Sequence, residues 1–261
     1  MTSLLTSDAF PEPWVDAEAA GASFVAEARF EGVIVCTRWP RPDVMPILAP
    51  GLSLGRNATA EAHLHPVAFV FGMQSDAALI VGGVTVPSGA RFPELMIAVP
   101  FVRRHEDTNL HVFIPRVYSS DQLSTWSGTA NYGLGKQLAD MRWLSRTFTV
   151  AARGGPLLLH ATVESEGDWR PFDRVPGLTA TTDVFRRPAL GRRHDGTDVR
   201  SYFDWRPYGA TARPARAVLS IDAPLGPGLV PRICHGIGGE TFAVRDMRWR
   251  ISWPLRCDAG S

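Results

Sequence analysis

Residues 241–253 read TFAVRDMRWRISW, and apolar and polar side chains alternate along much of this stretch. An alternation with a period of two is typical of a β-strand, because successive side chains point to opposite faces of a sheet. Arg248 and Arg250 fall on one face and Trp249 falls on the other. The stretch therefore predicts a strand in a sheet that has one polar or solvated face.

Eight further segments have the same strand-like character. They are short, rich in Val, Ile, Phe and Thr, and mostly bounded by turn-forming residues. The segments are RFEGVIVCTRW (29–39), HPVAFVFGM (65–73), AALIVGGVTV (77–86), LMIAVPFV (95–102), NLHVFIPRVY (109–118), SRTFTVAA (145–152), LLLHATVES (157–165) and ARAVLSI (215–221).

Helix signals are few. RPDVMPILAPGL (41–52) predicts a short helix between prolines, SSDQLSTWSG (119–128) predicts a helix that opens on an aspartate cap, and GKQLADMRWL (135–144) predicts a helical turn. Many strands without alternating helices predict one mainly β domain, a barrel or a sandwich, over residues 1–261. We assign an N-terminal arm to residues 1–22 and a long loop or insertion to the Arg-, Pro- and Gly-rich region 168–216.

Composition and charge indicate a small-molecule partner. Charged residues make up 20% of the 261 residues and the formal net charge is +1, so no strong field favours nucleic acid or an anionic membrane. The first residues carry no signal-peptide pattern, and no apolar run is long enough to span a bilayer. Three widely spaced cysteines, Cys36, Cys234 and Cys257, fit a reduced cytoplasmic protein better than a disulfide scaffold.

Lys136 is the only lysine in the chain, so every other basic side chain apart from histidine is an arginine. A GC-rich genome explains the abundance of arginine, but it does not explain why one lysine remains. Only an amine can lose its proton inside a protein and add to a carbonyl group. The neighbouring residues Tyr132 to Gly135 carry no charge, which suits a desolvated amine. Lys136 is therefore a candidate Schiff-base lysine.

Two groups of histidines raise the possibility of a metal site. His63 and His65 share one face of a strand, and the segment HEDTNLH adds His105, Glu106 and His111. No carboxylate follows His65 at the short spacing that would complete a site. We therefore predict no metal and no other cofactor.

Three stretches occur in a recognisable order. ARFEGVIVCTRWPRPDVMPILAPGL carries Arg29, FPELMIAVPF carries Glu94, and VYSSDQLSTWSGTANYGLGKQLADM carries Tyr118, Gly128 and Lys136. In this order and spacing they resemble the acetoacetate decarboxylase superfamily. The resemblance covers residues from about Arg29 to Met141, and the strand-rich remainder is compatible with it but carries no matching motif.

This resemblance implies a closed conical β-barrel with flanking strands and few short helices, and a lysine at the floor of an apolar cavity. The amine of Lys136 would condense with a ketone of a keto acid, and Arg29 would hold a carboxylate. Glu94 would pair with Arg29 or transfer protons. The predicted substrate-binding residues are Arg29, Tyr118, Tyr132 and Phe92. Members of the superfamily assemble into homo-oligomers, and we expect the same here.

The chain also departs from acetoacetate decarboxylases proper. Gln137 stands where those enzymes carry a second lysine, so the chain is a divergent member by this resemblance. Three functions remain open. The first is decarboxylation of a β-keto acid through an imine on Lys136, and the second is aldolase-dehydratase chemistry on a 2-keto acid such as pyruvate. The third is a catalytically silent barrel that binds an apolar carbonyl compound.

Overall fold

A computed structural model of the chain describes residues 3, 5–6, 8–105 and 107–257. Within them the backbone forms 17 β-strands and three short α-helices. The helices are α1 (Arg41–Val44), α2 (Gln122–Ala130) and α3 (Leu178–Val184), and single 3-10 turns occupy Met45–Ile47 and Phe172–Arg174. The mainly β class that the sequence predicts is confirmed.

The strands, in chain order, form one connected network of pairings. They are β1 (Phe24–Pro40), β2 (Leu52–Leu54), β3 (Leu64–Val81), β4 (Val84–Pro87), β5 (Phe92–Arg104), β6 (His111–Ser119), β7 (Lys136–Leu144), β8 (Thr147–Ala152), β9 (Leu157–Ser165), β10 (Arg170–Pro171), β11 (Ala189–Arg192), β12 (Asp198–Ser201), β13 (Phe203–Arg206), β14 (Thr211–Ile221), β15 (Arg232–His235), β16 (Thr241–Ser252) and β17 (Leu255–Arg256).

The pairings close into two rings that share the strands β16, β1, β3, β5 and β6. The large ring continues from β6 through β7, β8, β9 and β14 back to β16. The small ring continues from β6 through β11 and β12, and returns to β16 through β13. β12 and β13 are successive parts of one chain segment, interrupted only at Tyr202. The predicted closed barrel with flanking strands and few helices is thus confirmed.

The two rings separate where two shared strands each fork. The first half of β6 pairs with β11 and its last residues pair with β7, and Pro115 lies between these two parts. Proline has no N–H to donate to a ladder, which suits a point where pairing changes partner. β16 forks likewise. One of its edges pairs with β1 along its length, whereas the other pairs with β14 from Phe242 to Arg245 and with β13 from Arg248 to Ile251.

Each ring encloses its own hydrophobic core. Successive side chains on the shared strands face the two cores in turn, because side chains alternate between the two faces of a strand. Val33, Phe69 and Leu95 fill the large ring, whereas Ile34, Val70 and Met96 face the small ring. Phe185, which follows α3, packs with the second group.

The region 168–216 differs from the predicted long loop. It contains β10, α3, β11, β12, β13 and the first residues of β14. Its many Pro, Gly and Arg residues lie largely at the junctions of short elements, and Gly177 and Gly196 adopt positive φ angles of 82° and 83° that glycine tolerates. This region therefore supplies much of the wall and filling of the small ring.

The segment 135–144 is a strand and not the predicted helical turn. From Lys136 onward it is β7, parallel to β6 and antiparallel to β8. The cysteines are free, and Cys36 and Cys234 are buried. In the described part of the chain, no helix is long and apolar enough to cross a membrane.

Candidate active site

Lys136 lies at the fork between the two rings. It is the first residue of β7 and pairs with Val117 on β6. Two glycines bring the chain here, because a Cβ at Gly133 would lie 2.5 Å from the backbone of Arg192, and a Cβ at Gly135 would lie 2.5 Å from the carbonyl oxygen of Pro115. The backbone of the segment NYGLGK (131–136), which ends at the lysine, therefore packs closely against neighbouring backbone.

The amine of Lys136 contacts a carboxylate and a hydroxyl. Its Nζ lies 2.5 Å from Oε2 of Glu94 on β5 and donates to Oγ of Ser124 on α2 at 2.7 Å. The lysine and glutamate side chains are 8% and 15% exposed. The structure thus brings together Lys136 and Glu94, which are 42 residues apart in the chain.

Helix α2 covers the lysine. Asp121 caps this helix by accepting a hydrogen bond from the backbone N–H of Ser124 at 2.6 Å, as the sequence predicts for an aspartate cap. One turn later, Gly128 faces the lysine side chain, and a Cβ there would lie 2.7 Å from its Cδ. The hydroxyl of Thr129 donates to the backbone carbonyl of Lys136 at 3.2 Å. The helix therefore holds both the polar and the aliphatic parts of the lysine.

A chain of polar groups continues from Glu94 across the sheet. Nε2 of Gln74 lies 3.5 Å from Oε1 of Glu94, and Oε1 of Gln74 accepts from the indole N–H of Trp249 at 2.9 Å. Both carboxylate oxygens of Glu94 therefore have a partner, and its orientation depends on β3 and β16 as well as on Lys136. The sequence carried no signal for Gln74, Ser124 or Trp249.

The position directly across from Glu94 on β3 carries no side chain. Glu94 pairs across the sheet with Gly72, and Gly72 pairs with Gly32. Phe30 fills the space that side chains would take, since a Cβ at Gly72 would lie 2.9 Å from its ring. Apolar surface therefore covers Gly72, next to the polar contact that Gln74 makes with Glu94.

A narrow apolar cavity lies inside the small ring, and neither Lys136 nor Glu94 is among its lining residues. Met96 lines this cavity and belongs to the cross-strand row that runs from Met96 through Val117 to Lys136. The cavity has an empty volume of about 210 Å³ and is too narrow for a water-sized sphere. Its lining residues are Met96, Val112, Ile114, Phe185, Arg187, Ala189, Phe203 and Trp205.

The structure does not bring Arg29 to this site, where the resemblance placed it. Arg29 points away from the core that its neighbour Phe30 joins, and its side chain is 40% exposed. Its guanidinium forms salt bridges with Asp76 at 3.0 Å and Asp246 at 3.2 Å. These contacts assign Arg29 to a surface ion-pair cluster.

The other predicted substrate-binding residues lie in different parts of the structure. Tyr118 packs in the core of the large ring and donates to the carbonyl of Leu225 at 3.1 Å, so it lies on the wrong side of the sheet. Phe92 lies two residues before Glu94 on β5, on the same face. Tyr132 is buried in the core of the small ring, and this burial raises its pKa to about 12.

The described residues contain no group of three or more His, Cys, Asp and Glu side chains that could hold a metal ion. Glu106 lies outside the described residues. His65 is buried, and its Nε2–H donates to the carbonyl of Pro100 at 2.7 Å. His111 is also buried, with its Nε2 3.4 Å from Asp107.

Comparisons with solved structures identify the fold. The enduracididine biosynthesis enzyme MppR in complex with pyruvate is 14% identical, covers 92% of each chain and has a TM-score of 0.60. Acetoacetate decarboxylase from Legionella pneumophila is 14% identical over 89% of this chain and 87% of its own, with a TM-score of 0.61. An acetoacetate decarboxylase-like enzyme from Sphingomonas wittichii RW1 is 14% identical over 91% and 94%, with a TM-score of 0.58.

No protein-family model and no curated protein sequence matches the chain. The structural likeness spans nearly the whole chain, so the predicted resemblance to the acetoacetate decarboxylase superfamily is confirmed at the level of the fold.

Proposed function

Because the chain has the acetoacetate decarboxylase fold, we propose that it is a Schiff-base-forming lyase that acts on a keto acid, with Lys136 as the nucleophile. The observation that carries this proposal is the largely buried contact of Lys136 Nζ with Glu94 and Ser124. A lysine amine that meets a carboxylate in a water-poor site has both the nucleophile and the proton acceptor that imine formation needs.

The reaction begins when Glu94 takes a proton from the ammonium group of Lys136. The free amine adds to the ketone carbon to give a carbinolamine, and the protonated Glu94 returns the proton to the departing hydroxyl, which leaves as water. The protonated imine then withdraws electrons from the adjacent carbon. Ser124 holds the amine in position throughout, and hydrolysis of the imine regenerates Lys136.

The first candidate reaction is decarboxylation of a β-keto acid. The carboxylate leaves as CO₂ and its bonding electrons pass into the imine to give an enamine. Glu94 is a carboxylate again at this stage, so it takes up a proton from solvent and passes it to the enamine carbon, which restores the imine. The apolar surroundings of Met96 and Phe30 support this choice, because an apolar site favours the neutral CO₂ over the charged carboxylate.

The second candidate is aldolase-dehydratase chemistry on a 2-keto acid. Its support is the carboxylate of Glu94 beside Nζ, since this chemistry requires removal of a proton next to the imine. The similar fold of MppR, which was solved with pyruvate, also favours it. Against it, Arg29 is engaged elsewhere and is not available to hold the carboxylate of a 2-keto acid.

Borohydride trapping tests the nucleophile. We expect acetoacetate, pyruvate or a longer keto acid to give a mass gain that fits a reduced imine, and peptide mapping to place it on Lys136 and not on the terminal α-amine. Lys136→Arg and Lys136→Met should fold and give no such adduct, because neither side chain can form an imine.

A wild-type protein that gives no adduct with any ketone would support the catalytically silent barrel instead. Adducts that persist in both Lys136 variants would exclude Lys136 as the nucleophile. Release of CO₂ from a β-keto acid, measured without borohydride, separates the first candidate reaction from the second.

A further inference from the structure

Arg187 is a buried cation that forms no salt bridge with a described carboxylate. It lies after α3 and its residue is 3% exposed. The charge of Asp183 partly offsets the effect of burial on Arg187, but that carboxylate forms its salt bridge with Arg186 at 3.6 Å. Nη1 of Arg187 donates to the backbone carbonyl of Asp183 at 3.3 Å, and its guanidinium lies over the rings of Trp14 and Phe101. Burying a guanidinium without an anion is unfavourable by several kcal/mol.

Two N–H groups, one of Arg187 and one of Trp205, lack an acceptor among the described residues. Nε of Arg187 and the indole Nε1 of Trp205 are both buried and form no hydrogen bond there. Both residues line the narrow apolar cavity of the small ring, together with Met96, which lies two strands from Lys136 in one cross-strand row. Other buried arginine Nε atoms of the described residues also lack a partner, and these two donors differ in that both line one cavity, which points to an acceptor that enters it.

We propose that Arg187, assisted by Trp205, binds an anionic group of the substrate at the end of the cavity remote from Lys136. The inference rests on the proposed function and extends it to the class of substrate. The substrate is then a ketone whose carboxylate, or another planar anion, is separated from the reacting carbonyl by an apolar spacer. Guanidinium binds carboxylates with two parallel hydrogen bonds, which gives it a geometric preference for such groups.

The strand register sets the length of the spacer. Ala189, two residues after Arg187, pairs with Val112 on β6, and Lys136 pairs with Val117 on the same strand. Because β11 is parallel to β6, Arg187 lies two residues further from Lys136 than Ala189 does, and seven residues of strand span about 23 Å. The two long side chains together shorten this gap to roughly 10 Å. A three-carbon keto acid such as pyruvate cannot bridge this gap.

Entry of such a substrate requires the cavity to widen. The side of the cavity formed by Phe185 and Arg187 belongs to a connection between α3 and β11, not to a strand of the ring. Turn-type bonds hold this connection, among them Phe185 N–H to Thr182 and Arg187 N–H to Val184 at 3.4 Å. Movement of this connection would therefore break fewer strand-pairing hydrogen bonds than movement of the strands in the lining.

A homologous series of methyl ketones tests the proposal. The probes run from 4-oxopentanoate to 8-oxononanoate, each with its neutral methyl ester, and none of them is a β-keto acid that decarboxylates. Binding is measured by calorimetry without borohydride, and imine formation by borohydride trapping. We expect the preference for acid over ester to grow with chain length in the wild type.

The variants separate recognition from folding. Arg187→Gln should weaken the binding of the long acids about 10- to 100-fold and leave the esters unchanged, as expected for the loss of a charge-assisted pair. Arg187→Lys should recover part of the preference. Arg186→Gln is the matched control, because this neighbouring arginine is exposed and lies outside the cavity lining.

Each outcome decides one of the two proposals. Equal binding of acids and esters by the wild type, or equal weakening of both by Arg187→Gln, would overturn the role of Arg187 and assign it to packing with Trp14 and Phe101. Binding of acids that depends on Arg187, without any borohydride adduct, would uphold the anion site and contradict the proposed imine chemistry. No binding of any acid overturns the anion site.

Discussion

The carboxylate of Glu94 is the group on which the proposed chemistry of Lys136 most depends. The two side chains form a nearly buried ion pair, and a buried pair of this kind is costly to break by removing one partner. Gln74 and Ser124 complete the contacts of the pair. The glutamate therefore has a fixed position from which it can accept and return the proton of the amine.

Glu94→Gln is the corresponding test at the residue scale. The amide keeps the size of the side chain and a hydrogen bond to Lys136, but it cannot accept the ammonium proton. We expect imine formation with a trapped ketone to slow about 10²- to 10⁴-fold, the usual contribution of a general base. Glu164→Gln, an exposed glutamate on β9, serves as the control. An unchanged rate of trapping in Glu94→Gln would exclude Glu94 as the base.

Arg29 and Tyr118 show why residue types in a motif do not by themselves define a site. Both belong to strands that contribute to the region of Lys136, yet Arg29 points away from Phe30 and Tyr118 points into the large ring. Arg29 and Phe30 are adjacent and so point to opposite faces of β1, and Tyr118 and Val117 do the same on β6. The motif order alone does not say which of the two faces lines the site.

At the scale of elements, α2 is the part of the fold that most directly confines the lysine. Its inner face presents Ser124 and Gly128 to the side chain, whereas Leu123 and Trp126 on the outer face are exposed. The aspartate cap on Asp121 ties the start of this helix to the backbone of Ser124, so that capping and the orientation of the amine are connected.

Gly128→Ala tests this confinement. The new methyl group would lie 2.7 Å from Cδ of Lys136 and must displace the lysine or the helix. Alanine favours helix over glycine by about 1 kcal/mol, which offsets part of the strain, so we expect little change in thermal unfolding. Imine trapping should fall at least about tenfold. Leu123→Ala on the exposed face is the control, and full activity in Gly128→Ala would show that the helix does not position the lysine.

The element β7 shows the limit of local pattern at this scale. GKQLADMRWL contains good helix formers and no glycine or proline after its start, which favours a helical turn. The segment is nevertheless a strand, because the ends of β6 and β8 offer it partners on both sides. Pairing with distant strands overrode local propensity here.

At the scale of the whole molecule, the two rings share β16, β1, β3, β5 and β6 and cannot separate without breaking the sheet. Lys136 and Glu94 meet because β6 forks, so that β7 begins beside the face of β5 that lines the small ring. The large ring is filled by its own core, and the candidate cavity belongs to the small ring. Chemistry at the fork thus uses a scaffold that both rings hold in place.

Acid stability is a property of the whole fold that His65 allows us to predict. Burial lowers its pKa to about 3, while the hydrogen bond to Pro100 opposes this shift and the charge of Arg41 adds to it. The folded state therefore keeps the imidazole neutral, whereas the unfolded chain takes up a proton near pH 6.5. The contribution of this histidine to stability is complete above pH 6.5 and declines as the pH falls towards 3.

His65→Gln tests this linkage. The amide can still donate to the carbonyl of Pro100, but it does not titrate. We expect the free energy of unfolding of the wild type to fall between pH 6.5 and 4 more steeply than that of the variant, by about 1.4 kcal/mol per pH unit. Urea unfolding over this range measures both slopes. His111, whose pKa is also lowered by burial to about 4, contributes equally to both proteins. Identical slopes would contradict the prediction.

The sequence by itself determined the mainly β class, the aspartate cap of α2, and the identity of the two residues at the centre of the candidate site. Strand alternation and capping are local, and the solitary Lys136 and its order after Glu94 can be read along the chain. Only the tertiary structure decided which side chains meet. It joined Lys136 to Ser124 and Gln74 to Glu94, removed Arg29 and Tyr118, and placed Arg187 on the cavity. These outcomes depend on register, bulges and forks between strands far apart in sequence, and no local pattern specifies them.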